Sequence, residues 1–193
     1  MTKKELRKIF LEKRKSLTEN ECAALNLNIY SRFFAGVDLS FVNTLHTYLP
    51  IAGNKEPDTW MIIDRLRREH SHARISVPRV TENGQLEHFY FEGSHQLTSS
   101  SWGIPEPKQG VPTPVEKIDL VIVPLIVADK QGHRVGYGKG FYDKFLSSVK
   151  SGCMKIGLSF FEPVERIADV APYDIPLNAC ITPENVISFR QPG

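Results

Sequence analysis

Residues 119–144 read DLVIVPLIVADKQGHRVGYGKGFYDK. From 120 to 127 nearly every side chain is apolar, the pattern of a strand buried on both faces of a parallel sheet. A loop with Arg134, Gly136, Tyr137, Gly138, Lys139 and Gly140 follows. A helical pattern then runs over 140–150, with Asp143 in its opening turn. Strand, glycine loop and helix make the layout of an anion cradle. Glycines let the backbone approach a ligand, the helix N-terminus presents free N–H groups, and two cations sit in the loop. A carboxylate beside a phosphate site points to Mg²⁺, which binds through one or two carboxylates plus phosphate oxygens. The spacing is G-x-G-x-G, and Lys139 precedes Gly140 rather than Ser or Thr, so neither common nucleotide loop is present. On the glycines alone, a flexible turn with surface charges explains the loop as well as a phosphate site does.

Working outward, Thr2 with Glu5 and Thr18 with Glu21 form capping boxes that open two helices. Strands are expected over 42–49, 73–78, 86–91 and 154–160, and a helix over 59–69. The segment 97–114 reads as irregular, and a Pro-rich coil after 160 leads to one short last strand. Alternating strands and helices argue an α/β protein, one domain with a mostly parallel sheet covered on both sides. In such sheets ligands sit beyond the carboxyl ends of the strands, which places both the glycine loop and the loop after Leu49 at that edge.

The 193 residues carry a net charge of +2, too little for a nucleic-acid footprint. No run approaches a membrane span and the N-terminus lacks a signal-peptide core, so a cytoplasmic, non-membrane protein is expected. Cys22, Cys153 and Cys180 are isolated and suggest neither zinc nor disulfides. Cations crowd the first helix: Lys3, Lys4, Arg7, Lys8, Lys13, Arg14 and Lys15. A solvated helix face is the ordinary explanation for such a run. His46 and His88 lie within strands, His133 is a polar loop residue, and no His pair has metal spacing with a third ligand.

RVGYGKGFYD, preceded by ADKQGH, closely resembles the signature of the 5-formyltetrahydrofolate cyclo-ligase family, D-x-x-G-x-R-L-G-x-G-x-G-Y-Y-D. It matches at Asp129, Gly132, Arg134, Gly136, Gly138, Gly140, Tyr142 and Asp143, with Val135 for Leu and Phe141 for the first Tyr. Three more segments resemble the family: KKELR at 3–7, EPDT at 56–59 and SSWGIPEP at 100–107. A fourth, PYDIPLNACIT at 172–182, carries Asn178 where the family has a second Asp.

The resemblance implies a three-layer α/β/α fold of the kind shared by sugar-phosphate isomerases and CoA transferases. The implied reaction is ATP- and Mg²⁺-dependent cyclisation of 5-formyltetrahydrofolate to 5,10-methenyltetrahydrofolate, by a chain expected to be monomeric. By the same resemblance Lys3, Lys4, Arg7, Arg134, Lys139 and the Gly136–Gly140 backbone, Tyr137 included, bind ATP. Arg134, Lys139 and Tyr142 serve catalysis. Leu49, Glu56, Trp102 and Tyr142 bind folate, and Asp143 and Asp174 hold Mg²⁺. Lys13, Arg14 and Lys15 stay on a solvated face. A sugar-phosphate isomerase would need neither two magnesium carboxylates nor a basic N-terminal clamp. A non-catalytic folate or nucleotide binder is favoured by Asn178 alone.

Overall fold

The computed structural model describes residues 1–51, 53–101 and 103–189. Helices α1 (Lys3–Ser16) and α2 (Glu19–Gly36) open the chain. At both starts a threonine oxygen accepts the backbone N–H three residues on, while the glutamate there accepts the threonine's own N–H. Strand β1 (Thr44–Thr47), helix α3 (Thr59–Glu69), β2 (Arg74–Val80) and β3 (Leu86–Tyr90) follow. Next come the hairpin strands β4 (Leu97–Ser99) and β5 (Pro105–Pro107), then β6 (Leu120–Val123), β7 (Val127–Ala128) and β8 (Arg134–Val135). Helix α4 (Phe141–Ser148), β9 (Met154–Leu158), β10 (Ala179–Ile181) and β11 (Val186–Ser188) end the described chain.

The main sheet has seven strands in the order β11-β10-β9-β6-β1-β2-β3. Neighbours from β10 to β2 run parallel, and β3 and β11 close the edges antiparallel. The chain is therefore α/β with a mostly parallel sheet, as the strand pattern predicts. Strand β6 explains why the sheet needs two covers. Leu120 and Ile122 enter a core with α2 and α3, whereas Val121 and Val123 enter a second core with Phe145 and Leu146 of α4. A third, smaller core joins Leu6 and Phe10 of α1 to Ile126, Val127, Val135 and Ile167, so α1 packs on the β7–β8 hairpin.

Three expectations need correction. The apolar run 120–127 is not one strand. β6 ends before Pro124, which has no N–H for a ladder, and Val127–Ala128 pairs instead with Arg134–Val135 in a separate two-stranded sheet. The glycine loop thus follows a hairpin rather than the central strand. The segment read as irregular contains the β4–β5 pairing. The Pro-rich coil contains β10, a three-residue parallel strand too short to show a period.

Candidate active site

Asp129 shapes the approach to the glycine loop. Its carboxylate is wholly buried and accepts from the backbone amides of Gln131, His133 and Ile167, which locks the β7–β8 turn. Arg134 leaves that hairpin with its side chain nearly buried. Nη1 donates to the Ile175 carbonyl at 2.7 Å, and Nη2 donates to Asp143 Oδ1 at 2.8 Å. Asp143 Oδ1 also accepts from the Ile175 amide. The next residue back, Asp174, accepts from Lys3 Nζ and from the Ala171 amide, both on Oδ2. The two carboxylates assigned to Mg²⁺ therefore sit beside one segment, each paired with a cation assigned to ATP. Among the described residues no cluster of three or more His, Cys, Asp or Glu could hold a metal. The donor set here is two carboxylates, which fits a Mg²⁺ completed by phosphate oxygens rather than an all-protein cage.

Arg7 reaches the loop from α1, its Nε donating to the Gly136 carbonyl at 2.8 Å. Gly138 and Gly140 have φ of +90° and +71°, in the left-handed region that favours glycine, whereas Gly136 does not. Gly140 caps α4 without a side-chain bond, so the first N–H groups of that helix are left to solvent or ligand. Lys4 and Lys139 are exposed.

Beyond β1, Glu56 is 9% exposed. Its Oε2 accepts from the Ile51 amide at 2.6 Å, and its Oε1 accepts from the Tyr137 hydroxyl at 2.5 Å. The residues after it are structural: Asp58 caps α3 through the Trp60 amide, and the Thr59 hydroxyl donates to the Tyr48 carbonyl. Lys55, the one non-glycine with positive φ among the described residues, donates to the carbonyls of Lys15 and Leu17 at the end of α1. Tyr137 thus belongs to the glycine loop through its backbone and to the Glu56 loop through its side chain. Burial, then the negative charge of Glu56, raise the Tyr137 hydroxyl above its usual pKa and keep it a donor.

Arg14 corrects another expectation. Lys13 and Lys15 are exposed, but Arg14 is 1% exposed. Positions 6, 10 and 14 lie four apart and form the inward stripe of α1. Arg14 donates to the Tyr137 hydroxyl at 2.9 Å and to the Leu125 carbonyl at 2.8 Å. A charge run hid it, and helical phase could have revealed it.

Tyr142 packs against both main cores, and its hydroxyl is buried with no partner among the described residues. Burial, then Glu56, push its pKa up. A buried hydroxyl so placed calls for a ligand or water. Leu49 is packed in the larger core, and Trp102 lies outside the described residues. Asn178 is not turned to this chemistry: its side-chain oxygen accepts from the Lys155 amide at 2.7 Å and ties β9 to the lead-in of β10. His46 and His88, unremarkable as strand residues, form a buried 3.0 Å contact beneath α4.

A probable 5-formyltetrahydrofolate cyclo-ligase of Schizosaccharomyces pombe is 29% identical over 148 residues, covering 69% of this chain and 72% of that protein. The 5-formyltetrahydrofolate cyclo-ligase of Escherichia coli K12 is 26% identical over 178 residues, covering 91% of this chain and 97% of that protein. Among solved structures, the 5,10-methenyltetrahydrofolate synthetase of Aquifex aeolicus superposes with a TM-score of 0.85 at 30% identity, covering all of this chain and 95% of that one. The family's sequence pattern itself spans residues 1–183, so the chain belongs to the 5-formyltetrahydrofolate cyclo-ligase family.

Proposed function

We propose that this protein uses ATP and Mg²⁺ to cyclise 5-formyltetrahydrofolate to 5,10-methenyltetrahydrofolate, releasing ADP and phosphate. One observation carries the reading: the Tyr137 hydroxyl bonds Glu56. It joins the glycine loop, read as a phosphate cradle, to the carboxylate read as a pterin acceptor, so both substrates meet at a single loop.

The mechanism is phosphoryl transfer, which depends on positioning and charge stabilisation rather than covalent catalysis. The Gly136–Gly140 backbone and the uncapped start of α4 receive the phosphates. Lys3, Lys4, Arg7, Arg134 and Lys139 offset their charge, with Arg134 held in place by Asp143 and the Ile175 carbonyl. Asp143 and Asp174 would hold Mg²⁺, which when bound would neutralise charge on the phosphate oxygens. Glu56 accepts the N–H donors of the pterin edge, and Tyr142 orients the ring system so that the formyl oxygen faces the γ-phosphate. The formyl oxygen takes the γ-phosphoryl group as its bond to ADP breaks, N10 attacks the activated carbon and gives up its proton, and the C–O bond breaks as phosphate leaves. Orientation of this kind is worth up to roughly 7–11 kcal/mol of barrier. The binder alternative loses its one support, because Asn178 makes a strand-linking bond that an Asp oxygen would make equally well.

The test is near-ultraviolet absorbance of the purified protein with 5-formyltetrahydrofolate and Mg²⁺. A rise from the conjugated methenyl product that requires ATP supports the proposal, and a flat trace from folded, ATP-binding protein overturns it.

A further inference from the structure

We propose that Arg14 is a positioning residue: acting through the Tyr137 hydroxyl, it sets the orientation in which Glu56 meets the reduced folate. This rests on the reading of Glu56 as the pterin acceptor.

The guanidinium occupies a place where the pattern of α1 calls for an apolar side chain, on the stripe of Leu6 and Phe10. Burying such a charge is unfavourable unless it is hydrogen-bonded and balanced. Arg14 gives one donor to the Leu125 carbonyl and another to the Tyr137 oxygen, while its Nε is buried without a partner among the described residues. No carboxylate bonds Arg14 directly in the described contacts. Its charge reaches one through Tyr137, whose oxygen accepts from Arg14 at 2.9 Å and whose proton goes to Glu56 at 2.5 Å. A phenol aligned this way is polarised from both sides, and each of its bonds strengthens the other. The short O–H···O⁻ contact is of the charge-assisted kind.

The consequence falls on the carboxylate. One Glu56 oxygen is fixed by the Ile51 amide and the other by Tyr137, so the plane of the group is set before any substrate arrives. Each oxygen keeps a second acceptor site, enough for two adjacent N–H donors. Neighbouring contacts hold the frame. Arg7 anchors Gly136, next to Tyr137, and Lys55 anchors the Glu56 loop to the end of the same helix. Arg14 places one of its bonds on a hydroxyl whose other partner is Glu56.

Tyr137→Phe removes the relay hydroxyl and keeps a ring that is partly exposed, so the fold should tolerate it. Arg14→Gln removes the charge, and Arg14→Lys keeps it without the two-armed geometry. Glu56→Gln reports on the underlying reading. The readouts are Kd and KM for 5-formyltetrahydrofolate and for ATP, together with melting temperature. Tyr137→Phe and Arg14→Gln should each weaken reduced folate roughly tenfold to hundredfold, the range for losing a bond to a charged group, with ATP changed by less than about twofold. The double variant should be no weaker than the worse single, because both remove one chain of bonds. Arg14→Lys should recover part of the affinity. The proposal is overturned if Glu56→Gln weakens folate while folded Tyr137→Phe does not, if the two effects add, or if folate and ATP weaken together. Folate affinity unmoved by Glu56→Gln would instead sink the pterin assignment, and the proposal with it.

Discussion

Arg134 and Asp143, nine positions apart on opposite sides of the glycine loop, are joined by a 2.8 Å ion pair whose acceptor oxygen is shared with the Ile175 amide. The pair fixes the loop's two ends to the segment that carries Asp174. The proposed phosphate site, with Arg134 already fixed, would lose little reorganisation energy when its ligand arrives.

Asp143→Asn keeps the size of the side chain and weakens both the ion pair and the proposed cation site. ATP turnover coupled to folate should fall by at least about a hundredfold, and the Mg²⁺ concentration for half-maximal rate should rise. A magnesium titration of initial rate at saturating ATP checks this. An unchanged midpoint would remove Asp143 from the metal.

Two of the loop glycines, Gly136 and Gly138, should answer differently to alanine. At Gly136 φ is ordinary and an added methyl meets nothing within 4 Å, so Gly136→Ala should leave the melting temperature unchanged and weaken ATP by crowding the phosphates. At Gly138 φ is +90° and the methyl would sit 3.3 Å from Arg7 Nη2, so Gly138→Ala should lower stability by about 1 kcal/mol or more and displace Arg7 as well. Calorimetric melting alongside ATP titration separates the two.

Acid should destabilise the protein through its buried histidine pair. Burial lowers His46 well below 6.5, the positive charge His88 would carry adding to the effect, and burial lowers His88 from 6.5 to about 4. The unfolded chain takes up these protons as pH falls through 6.5, while folded His88 waits until about 4. Stability is therefore full above 6.5 and lost on descending toward 4. His88 alone should account for about 2 kcal/mol between pH 7 and pH 5. Urea midpoints at the two pH values should converge in His88→Gln relative to the parent. Equal losses in both proteins would exclude His88 as a cause.

Gly157 in β9 sits against the side chains of Leu125 and Leu177. A methyl there would press into Leu125 and come within 2.8 Å of Leu177 Cδ1. Gly157→Ala should lower stability by about 1–3 kcal/mol in denaturant titration, with turnover per folded molecule unchanged.

Much of this was legible in the sequence, for reasons that can be named. Capping boxes at Thr2 and Thr18 are local, so two helix starts could be read residue by residue. The doubly apolar β6 announced a covered parallel sheet. What escaped was set by tertiary context. β10 is three residues long and depends on β9 for its register. Pro124 divides an apolar run whose second half finds a different partner. At the site, the sequence shows the glycine loop leading into a helix, while the roles given to the loop and to Asp143 come from the family resemblance and not from spacing. Arg14 was lost among its charged neighbours, and the bond between Glu56 and Tyr137 spans 81 positions that no local pattern connects. His46 and His88 come together across 42 positions because β1 and β3 flank β2 beneath one helix, a matter of strand order alone.

Helix α1 carries Lys3, Arg7 and Arg14, and their partners lie far downstream: Asp174 is 171 positions away, Gly136 129 and Leu125 111. During synthesis α1 emerges before the hairpin and the Asp174 segment, and these contacts cannot form until both exist. Closing loops of that length costs entropy that these contacts repay late. The contacts through which Lys3, Arg7 and Arg14 tie α1 to the glycine loop and its neighbours therefore form late, once the downstream segments are in place, and they form together rather than by degrees.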